Sequence, residues 1–442
     1  MSLTTPHKVR KLRRALYAKA KAEPEFRFYQ LYDKVYREDI LQHAYNKCRS
    51  KGGAAGVDGE TFGAIESRGV EAWLGELAKE LKEKCYRAEA VRRVEIPKGN
   101  GKMRGLGIPT IRDRVVQTAA VLVLEPIFEA DLPDEQYAYR PKRGALEAIK
   151  RVHRTVSRGH TEVVDADLSA YFDTIPHGQL MKSVARRVVD RQMLKLIKQW
   201  IEAPIEEDDG RGGKRRTARA RRERRGVPQG APISPLLANL YMRRFILAWK
   251  RSGLRDRLGA EIVNYADDFV ICCRPGTGAQ ALAWTHRLMD RLGLEVNAEK
   301  TRLCRLPEEH FTFLGYEIGR CYSRQTGRAY LGTRPSKKSI RRLTASLSDL
   351  THRRTGLLDV ETIVARMNRK LRGWGAYFCL GPVSPAYRAV DRHALKRLRQ
   401  WLCRKHKVRG QGSKRSPDAY LSEKLGLLRL GPTTRNLPWA KA

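Results

Sequence analysis

No stretch of about 18 consecutive apolar residues occurs anywhere in the 442-residue chain, so nothing reads as a bilayer-spanning helix. The first twenty residues, MSLTTPHKVRKLRRALYAKA, lack the apolar centre of a secretory signal and read as a short basic amphipathic helix. The eight cysteines show no paired spacing, and Cys272 and Cys273 are adjacent, which argues against a disulfide framework and for a reducing, cytoplasmic setting. No internal repeat recurs at a fixed period. Acid is scarce relative to base: 48 Asp and Glu face 88 Lys and Arg, a net charge of +40. Such a surplus repels itself unless a polyanion lies against it, so the composition points to nucleic acid and away from membranes.

What is present, 41% hydrophobic residues, suffices for sizeable cores, and the length suggests two or three units. Residues 1–90 read as helical, with a Gly-rich break at 51–56 and a helix through Trp73, Leu74, Leu77 and Leu81. VRRVEIP (91–97) alternates like a strand and enters a turn. VVQTAAVLVLEPIFE reads as a buried helix broken or kinked at Glu125-Pro126. A single helix is expected from about Gln179 to Ile201, another over 277–292, and FTFLGYEI is expected as one strand. Residues 206–226 hold nine basic and five acidic residues without apolar periodicity, an exposed loop or hairpin expected to bind RNA backbone, with Arg215, Arg216, Arg219, Arg221 and Arg222 as contacts. Residues 335–442 carry 25 Lys and Arg against 6 Asp and Glu. There, residues 388–405 put Val390, Ala394, Leu398 and Leu402 on one helical stripe and Arg388, Arg392, Lys396, Arg397 and Arg399 largely elsewhere, as a backbone-contacting face.

Against this basic background the acids stand out. TEVVDADLSAYFDTI reads as a strand bearing Asp167 at its end, and EIVNYADDFVICC as a strand pair holding Asp267 and Asp268. An Asp-Asp pair alone is a common turn; flanked by apolar strands it costs burial energy unless cations or partners compensate. Phosphoryl transfer to a sugar hydroxyl uses two divalent cations roughly 3.5–4 Å apart, and carboxylate oxygens suit Mg²⁺.

Several segments then carry a family resemblance. Tyr265-Ala266-Asp267-Asp268 resembles the signature of reverse transcriptases, Asp167 to Asp173 their first catalytic motif, and Gly226 to Asn239 the motif between them. That last stretch, with Ile96-Pro97-Lys98, Gly107-Ile108-Pro109, Tyr139-Arg140-Pro141, Asn297 to Thr301 and Phe313 to Tyr316, is similar to the group II intron branch. The likeness spans roughly residues 50–380, with Gly373-Trp374 and the basic terminal region resembling the maturase thumb.

The resemblance implies an α+β right-hand polymerase: an N-terminal extension (1–90), fingers and palm (91–325), a helical thumb (326–410) and a basic DNA-binding segment (411–442). It implies two Mg²⁺ ions, replaceable by Mn²⁺, on Asp167, Asp267 and Asp268, with Leu168 beside them. Asp165 and Asp173 are carried over as neighbours, not ligands. Lys98 and Arg104 would grip the dNTP triphosphate, although Gly105, where the family usually has proline, loosens that turn. Ser169, Ala170 and Tyr171 would line the dNTP, Phe172 would exclude a 2′-hydroxyl, and Gln229 would lie against nucleotide and template. Lys300 would approach the pyrophosphate as a general acid, or be a solvated charge; Arg140 joins the nucleic-acid contacts. Expected partners are intron RNA, an RNA template with DNA primer, and target DNA. The absence of a Cys/His zinc pattern suggests the type without an endonuclease domain. A splicing maturase without polymerase activity, or a domesticated enzyme serving defence or repair, stands as the alternative.

Overall fold

A computed structural model describes residues 4–97, 103–209, 213–323, 326–408 and 412–437. Eleven strands form three sheets among these residues. They are β1 (Val91–Pro97), β2 (Met103–Ile108), β3 (Glu162–Asp167), β4 (Ile205–Asp208), β5 (Lys214–Thr217), β6 (Glu261–Tyr265), β7 (Asp268–Cys273), β8 (Arg302–Arg305), β9 (Phe311–Phe313), β10 (Tyr316–Tyr322) and β11 (Ala329–Pro335). The sheet orders are β2-β1-β4-β5, β6-β7-β3-β8 and β11-β10-β9. Because β1 and β4 run parallel and their neighbours antiparallel, the first sheet is mixed, and the fold is α+β with helices flanking the sheets. No helix among the described residues is long and apolar enough to cross a membrane, and all eight cysteines are free.

The helix Ile111–Glu129 runs through the largest core, buried on most of its surface against helices His7–Ala22 and Glu38–Lys51. Thr110 caps it, accepting from the Asp113 N–H. The expected break at Glu125-Pro126 does not occur: the helix continues to Glu129. Proline at 126 cannot donate to the Leu122 carbonyl, and Arg13 Nη1 takes that place at 3.0 Å while its other nitrogen pairs with Glu125. The orphaned carbonyl is thus satisfied from a helix more than a hundred residues away, which no local pattern announces.

Two other expectations are corrected in the same way. The apolar run from Gln179 to Ile201 splits into helices His177–Ala185 and Arg191–Ile201. Asp190 causes the break: it accepts from Gln192 and Met193 N–H as a cap, and its second oxygen holds the N–H groups of Leu31 and Tyr32 at 2.8 Å. The segment FTFLGYEI is a hairpin, β9 and β10, turning at Leu314 and Gly315, both at positive φ. The charged block at 206–226 is in part a hairpin, β4–β5, whose first strand extends the sheet of β1 and whose last residues form the short helix Arg219–Glu223.

The carboxyl-terminal helices Lys337–Leu350, Val360–Tyr377 and Ser384–Lys405 enclose a separate apolar core that includes Val390, Ala394, Leu398 and Leu402, the stripe expected from spacing. Arg397 ties the last helix to the first by donating to the Ser348 carbonyl at 2.9 Å. Buried Asp391 accepts from Leu430 and Gly431 N–H, both at 2.8 Å, and fastens the terminal segment over it. Reciprocal tyrosine bonds join this unit to the third sheet, Tyr316 Oη donating to the Tyr377 carbonyl and Tyr377 Oη to the Leu314 carbonyl.

Candidate active site

The site grows from the central pairing of β3 with β7. Val163, Val164 and Ala166 on one strand and Phe269 to Cys273 on the other are buried, so these strands are held by apolar packing on both faces. Their register sets Asp167 directly opposite Asp268. Strands β6 and β7 are joined by Ala266 and Asp267 alone, with Ala266 at φ +59°. Asn264, fully buried, donates to the Ala266 carbonyl at 2.8 Å and so fixes this tight turn. The three sequence-predicted aspartates are therefore brought to one end of one sheet.

Burial, and then the charges of Asp267, Asp167 and Asp165, push Asp268 up to about 7. Burial likewise raises Asp165 to about 6, opposed by Arg302, whose Nε lies 3.6 Å away. Lys300 pairs with Asp167 Oδ2, and this bond raises the lysine's own pKa. The loop carrying Lys300 is docked on β3: Asn297 N–H donates to the Asp167 carbonyl at 2.9 Å, and Leu168 bridges Val296. Among the described residues no group of three or more Asp, Glu, His or Cys side chains is disposed as a ready metal site. The donor chemistry nevertheless suits a divalent cation: Asp167 faces Asp268 across the strand pair with Asp267 next in the chain, all hard oxygen donors, and Lys300 pairs with Asp167.

Around this centre the expected nucleotide residues take different places. Ser169 is half-buried and donates through its N–H to the Glu295 carbonyl; Ala170 is exposed at φ +45°. Tyr171 is an internal residue, its hydroxyl spent on the Ala238 carbonyl at 2.6 Å. Phe172 is 6% exposed, packs edge-on against Tyr171, and borders a cavity with Gln229. The backbone of Gln229 is anchored to β2, its carbonyl accepting from Gly107 N–H at 2.6 Å. Glycine is required next to it, because Gly230 has φ +110° and a Cβ there would lie 2.5 Å from the Gly107 carbonyl oxygen. Lys98 lies outside the described residues. Arg104 sits on β2 opposite Ile96, and Gly105 falls within the strand, not in a loosened turn; it leaves room for the Arg93 guanidinium, which a Cβ would meet at 2.6 Å.

The basic contacts also divide. Arg140 is buried, its guanidinium bound to Glu129 and to the carbonyls of Pro133 and Gln136, so it clamps the chain internally instead of facing nucleic acid. The five arginines of the charged block are all exposed: on β5 Arg216 pairs with Glu206 at 2.8 Å, and on the following short helix Arg219 and Arg222 lie 2.9 and 4.0 Å from Glu223, while Arg215 and Arg221 make no ion pair among the described residues. Arg388, Arg392 and Lys396 line one open groove of about 1320 Å³ beside helix Ser384–Lys405. Arg399, expected from sequence on the same basic face, shares it with Arg404, Lys407 and Arg429, which were not singled out from sequence. Arg404 lies on the same helix and was findable by spacing; Lys407, past the helix end at φ +52°, and Arg429, which arrives through the Asp391 fastening, were not.

Comparison with known proteins identifies the family. Residues 96–318 match the family model described as reverse transcriptase (RNA-dependent DNA polymerase), and residues 340–418 match the group II intron maturase-specific domain. Protein YkfC of Escherichia coli is 34% identical over 379 residues, covering 77% of this chain and 96% of that protein. The group II intron-encoded protein LtrA of Lactococcus lactis is 31% identical over 235 residues, 52% of this chain and 37% of its own length. Nuclear intron maturase 2 of Arabidopsis thaliana is 29% identical over 111 residues, 25% of this chain and 15% of its own length. With the aspartates at the end of β3 and in the β6–β7 turn, and both family models matched in order along it, the chain belongs to the reverse transcriptases of the group II intron maturase type.

Proposed function

We propose that this protein is the RNA-directed DNA polymerase of a group II intron, copying RNA into DNA and binding its intron RNA to assist splicing and mobility. The observation that carries the reading is the facing pair Asp167 and Asp268, with Asp267 in the adjoining turn, embedded in a chain of net charge +40. In this reading the right hand has fingers in the β2-β1-β4-β5 sheet and the N-terminal helices, a palm in the β6-β7-β3-β8 sheet, and a thumb in the carboxyl-terminal helices. Its boundaries fall at 1–90, 91–325, 326–410 and 411–442.

Asp167, Asp267 and Asp268, with Leu168 alongside, would hold two Mg²⁺ ions, which supply activation of a primer 3′-hydroxyl and neutralisation of the triphosphate. The protein's own groups do the rest. Apolar strands keep the carboxylates fixed, Lys300 offers a cation beside Asp167, and Phe172 stands where a 2′-hydroxyl would crowd it. Gln229, pinned to β2, keeps the Pro-Gln-Gly turn against the template side. Lys98 and Arg104 would grip the triphosphate, and the exposed arginines of the hairpin and the groove of Arg388, Arg392 and Lys396 would take phosphates of intron RNA or target DNA. The work is cytoplasmic, beside the nucleoid.

The test is primer extension on an RNA template with dNTPs and Mg²⁺, comparing wild type with Asp267→Ala. Extension lost in the variant, with RNA binding kept, is expected. A wild-type protein that binds intron RNA tightly yet never extends a primer would instead be the splicing-only maturase.

A further inference from the structure

At the end of the β6-β7-β3-β8 sheet away from the aspartates lies a cavity of about 430 Å³, and none of the basic residues expected from sequence lines it. Strand β6 starts there with Glu261 and β7 leaves towards it through Arg274, so about 15–20 Å of strand separates it from the Ala266-Asp267 turn. Three exposed arginines converge on it: Arg255 and Arg257 of the short helix Leu254–Arg257, and Arg274 just after β7. Thr277 laces the two segments together, its hydroxyl reaching the carbonyls of Leu258 and Arg274 at 2.9 and 2.8 Å. Gly259 leaves room for the stem of Arg274, whose Cγ a Cβ there would meet at 2.7 Å. Arg274 has no ion pair or side-chain hydrogen bond among the described residues, and Arg257 lies over the ring of Trp284, 5.5 Å from its centre. Two acids share the lining. Glu261 is already paired with Arg151 and stands 3.9 Å from Arg255, which leaves Asp256 against three guanidiniums. Like charges gathered this way repel one another unless an anion lies among them.

The basic surface continues past the cavity. Helix Gly278–Arg291 starts at its rim with no acid in the first turn, and helical spacing puts Gln280, Trp284, Arg287 and Arg291 on one stripe. Gln280, Arg287 and Arg291 are exposed, and Arg287 also lies over Trp284, 4.8 Å from the ring centre. We propose that this face holds the backbone of a folded RNA helix outside the copying cleft, its phosphates on Arg255, Arg257 and Arg274 and then on Arg287 and Arg291. Guanidiniums offer forked donors to phosphate oxygens. The aromatic ring of the stripe, Trp284, is half-buried with two guanidiniums over it, so unstacked bases find no platform there. A helix read by its shape and phosphates therefore suits the face better than a single strand. The inference rests on the polymerase and maturase reading above: template and primer have to reach the aspartates, and an RNA held while copying proceeds needs a contact that the template does not use.

In the experiment the full chain is loaded with an RNA template and a dideoxy-terminated DNA primer, and a labelled RNA hairpin is then titrated in. Wild-type extension is followed in parallel on an unblocked primer. Wild type should bind the hairpin as tightly when loaded as when free. Arg257→Ser with Arg274→Ser, both at exposed side chains, should weaken hairpin binding about tenfold and lower the slope of log affinity against log salt by about 0.7–0.9 per arginine. Template–primer affinity and extension should stay as in wild type. Gln280→p-benzoylphenylalanine should cross-link to the hairpin in the loaded complex, and the two arginine changes should remove that cross-link. Displacement of the hairpin by the template–primer, no loss on the double change, an equal loss of template–primer binding, or no cross-link at position 280 would overturn the proposal. So would a DNA hairpin of the same sequence that binds this face more tightly than the RNA. A protein that holds the hairpin through these arginines but extends no primer refutes the polymerase reading and leaves the surface; extension with hairpin binding indifferent to them does the reverse.

Discussion

In the proposed function the β6-β7-β3-β8 sheet and the helical unit at the carboxyl end both answer to phosphate, but by opposite means. The sheet gathers four carboxylates, Asp165, Asp167, Asp267 and Asp268, at the end of strands so apolar that position is dictated to within one residue of register. The helical unit spreads exposed cations along a groove whose shape depends on a core they do not touch. In the first region the chemistry is local, and a change of one atom type should be decisive. In the second it is a field, and single charges should add.

The largest expected effect tests the local half. Asp268→Asn keeps the shape and removes the charge, and extension should fall by roughly 100- to 1,000-fold or more, as when a single charge-stabilising group is lost, with duplex affinity kept; a tenfold loss or less would place the decisive charge elsewhere. Next comes the exception inside the diffuse region. Asp391→Ala leaves the N–H groups of Leu430 and Gly431 without their acceptor, at about 1–3 kcal/mol each. Urea unfolding should register the loss, and the groove should lose Arg429's contribution to binding. Smaller still, serine at Arg388, Arg392 or Lys396 should weaken RNA binding a few-fold apiece, nearly additively, each lowering the slope of log affinity against log salt by about 0.7–0.9. If one of the three abolished binding alone, the groove would be a site as sharp as the sheet, and the contrast would fail.

The mildest prediction spans both regions. Burial lowers the pKa of His43, His153, His177 and His393, the first three in or beside the sheets and amino-terminal helices and the last among the terminal helices. Their folded values lie below the ordinary 6.5, so the unfolded chain binds more protons as pH drops through that value. The histidine share of thermal stability should be full above about pH 6.5 and decline below it, while Asp165 and Asp268, raised to about 6 and about 7, act in the opposite sense as they take up protons in the folded chain. His393→Gln should flatten the decline only slightly; removal of the whole slope by that one change would mean the two regions unfold separately.

The same contrast explains what the sequence disclosed. Asp167 and the Tyr265 to Asp268 turn were legible because acids flanked by continuous apolar strands and a short polar turn are local signals that also carry the family resemblance, and the stripe Val390, Ala394, Leu398 and Leu402 was legible because spacing alone sets a helical face. What escaped depended on distant partners. Pro126 remains helical only because Arg13 reaches it, and the helix at 177–201 breaks because Asp190 also binds Leu31 and Tyr32. Arg140 looked like a surface cation and is an internal clamp because Glu129 and two carbonyls converge on it. Lys300 was expected near the site from the resemblance; what escaped is its pairing with Asp167, which depends on a loop docked on β3.

The strand β5, which reads Lys-Arg-Arg-Thr, forms the outer edge of its sheet and is paired on one side only. An open strand edge is a template on which a second molecule can add its own strand, and so a route to aggregates. Here two copies meeting edge to edge would bring rows of positive charge within a few ångströms, so the residues that suit phosphate also hold identical molecules apart. Shelf life is the practical consequence: a preparation freed of nucleic acid keeps this repulsion most strongly at low salt, and added salt or a short polyanion relaxes it.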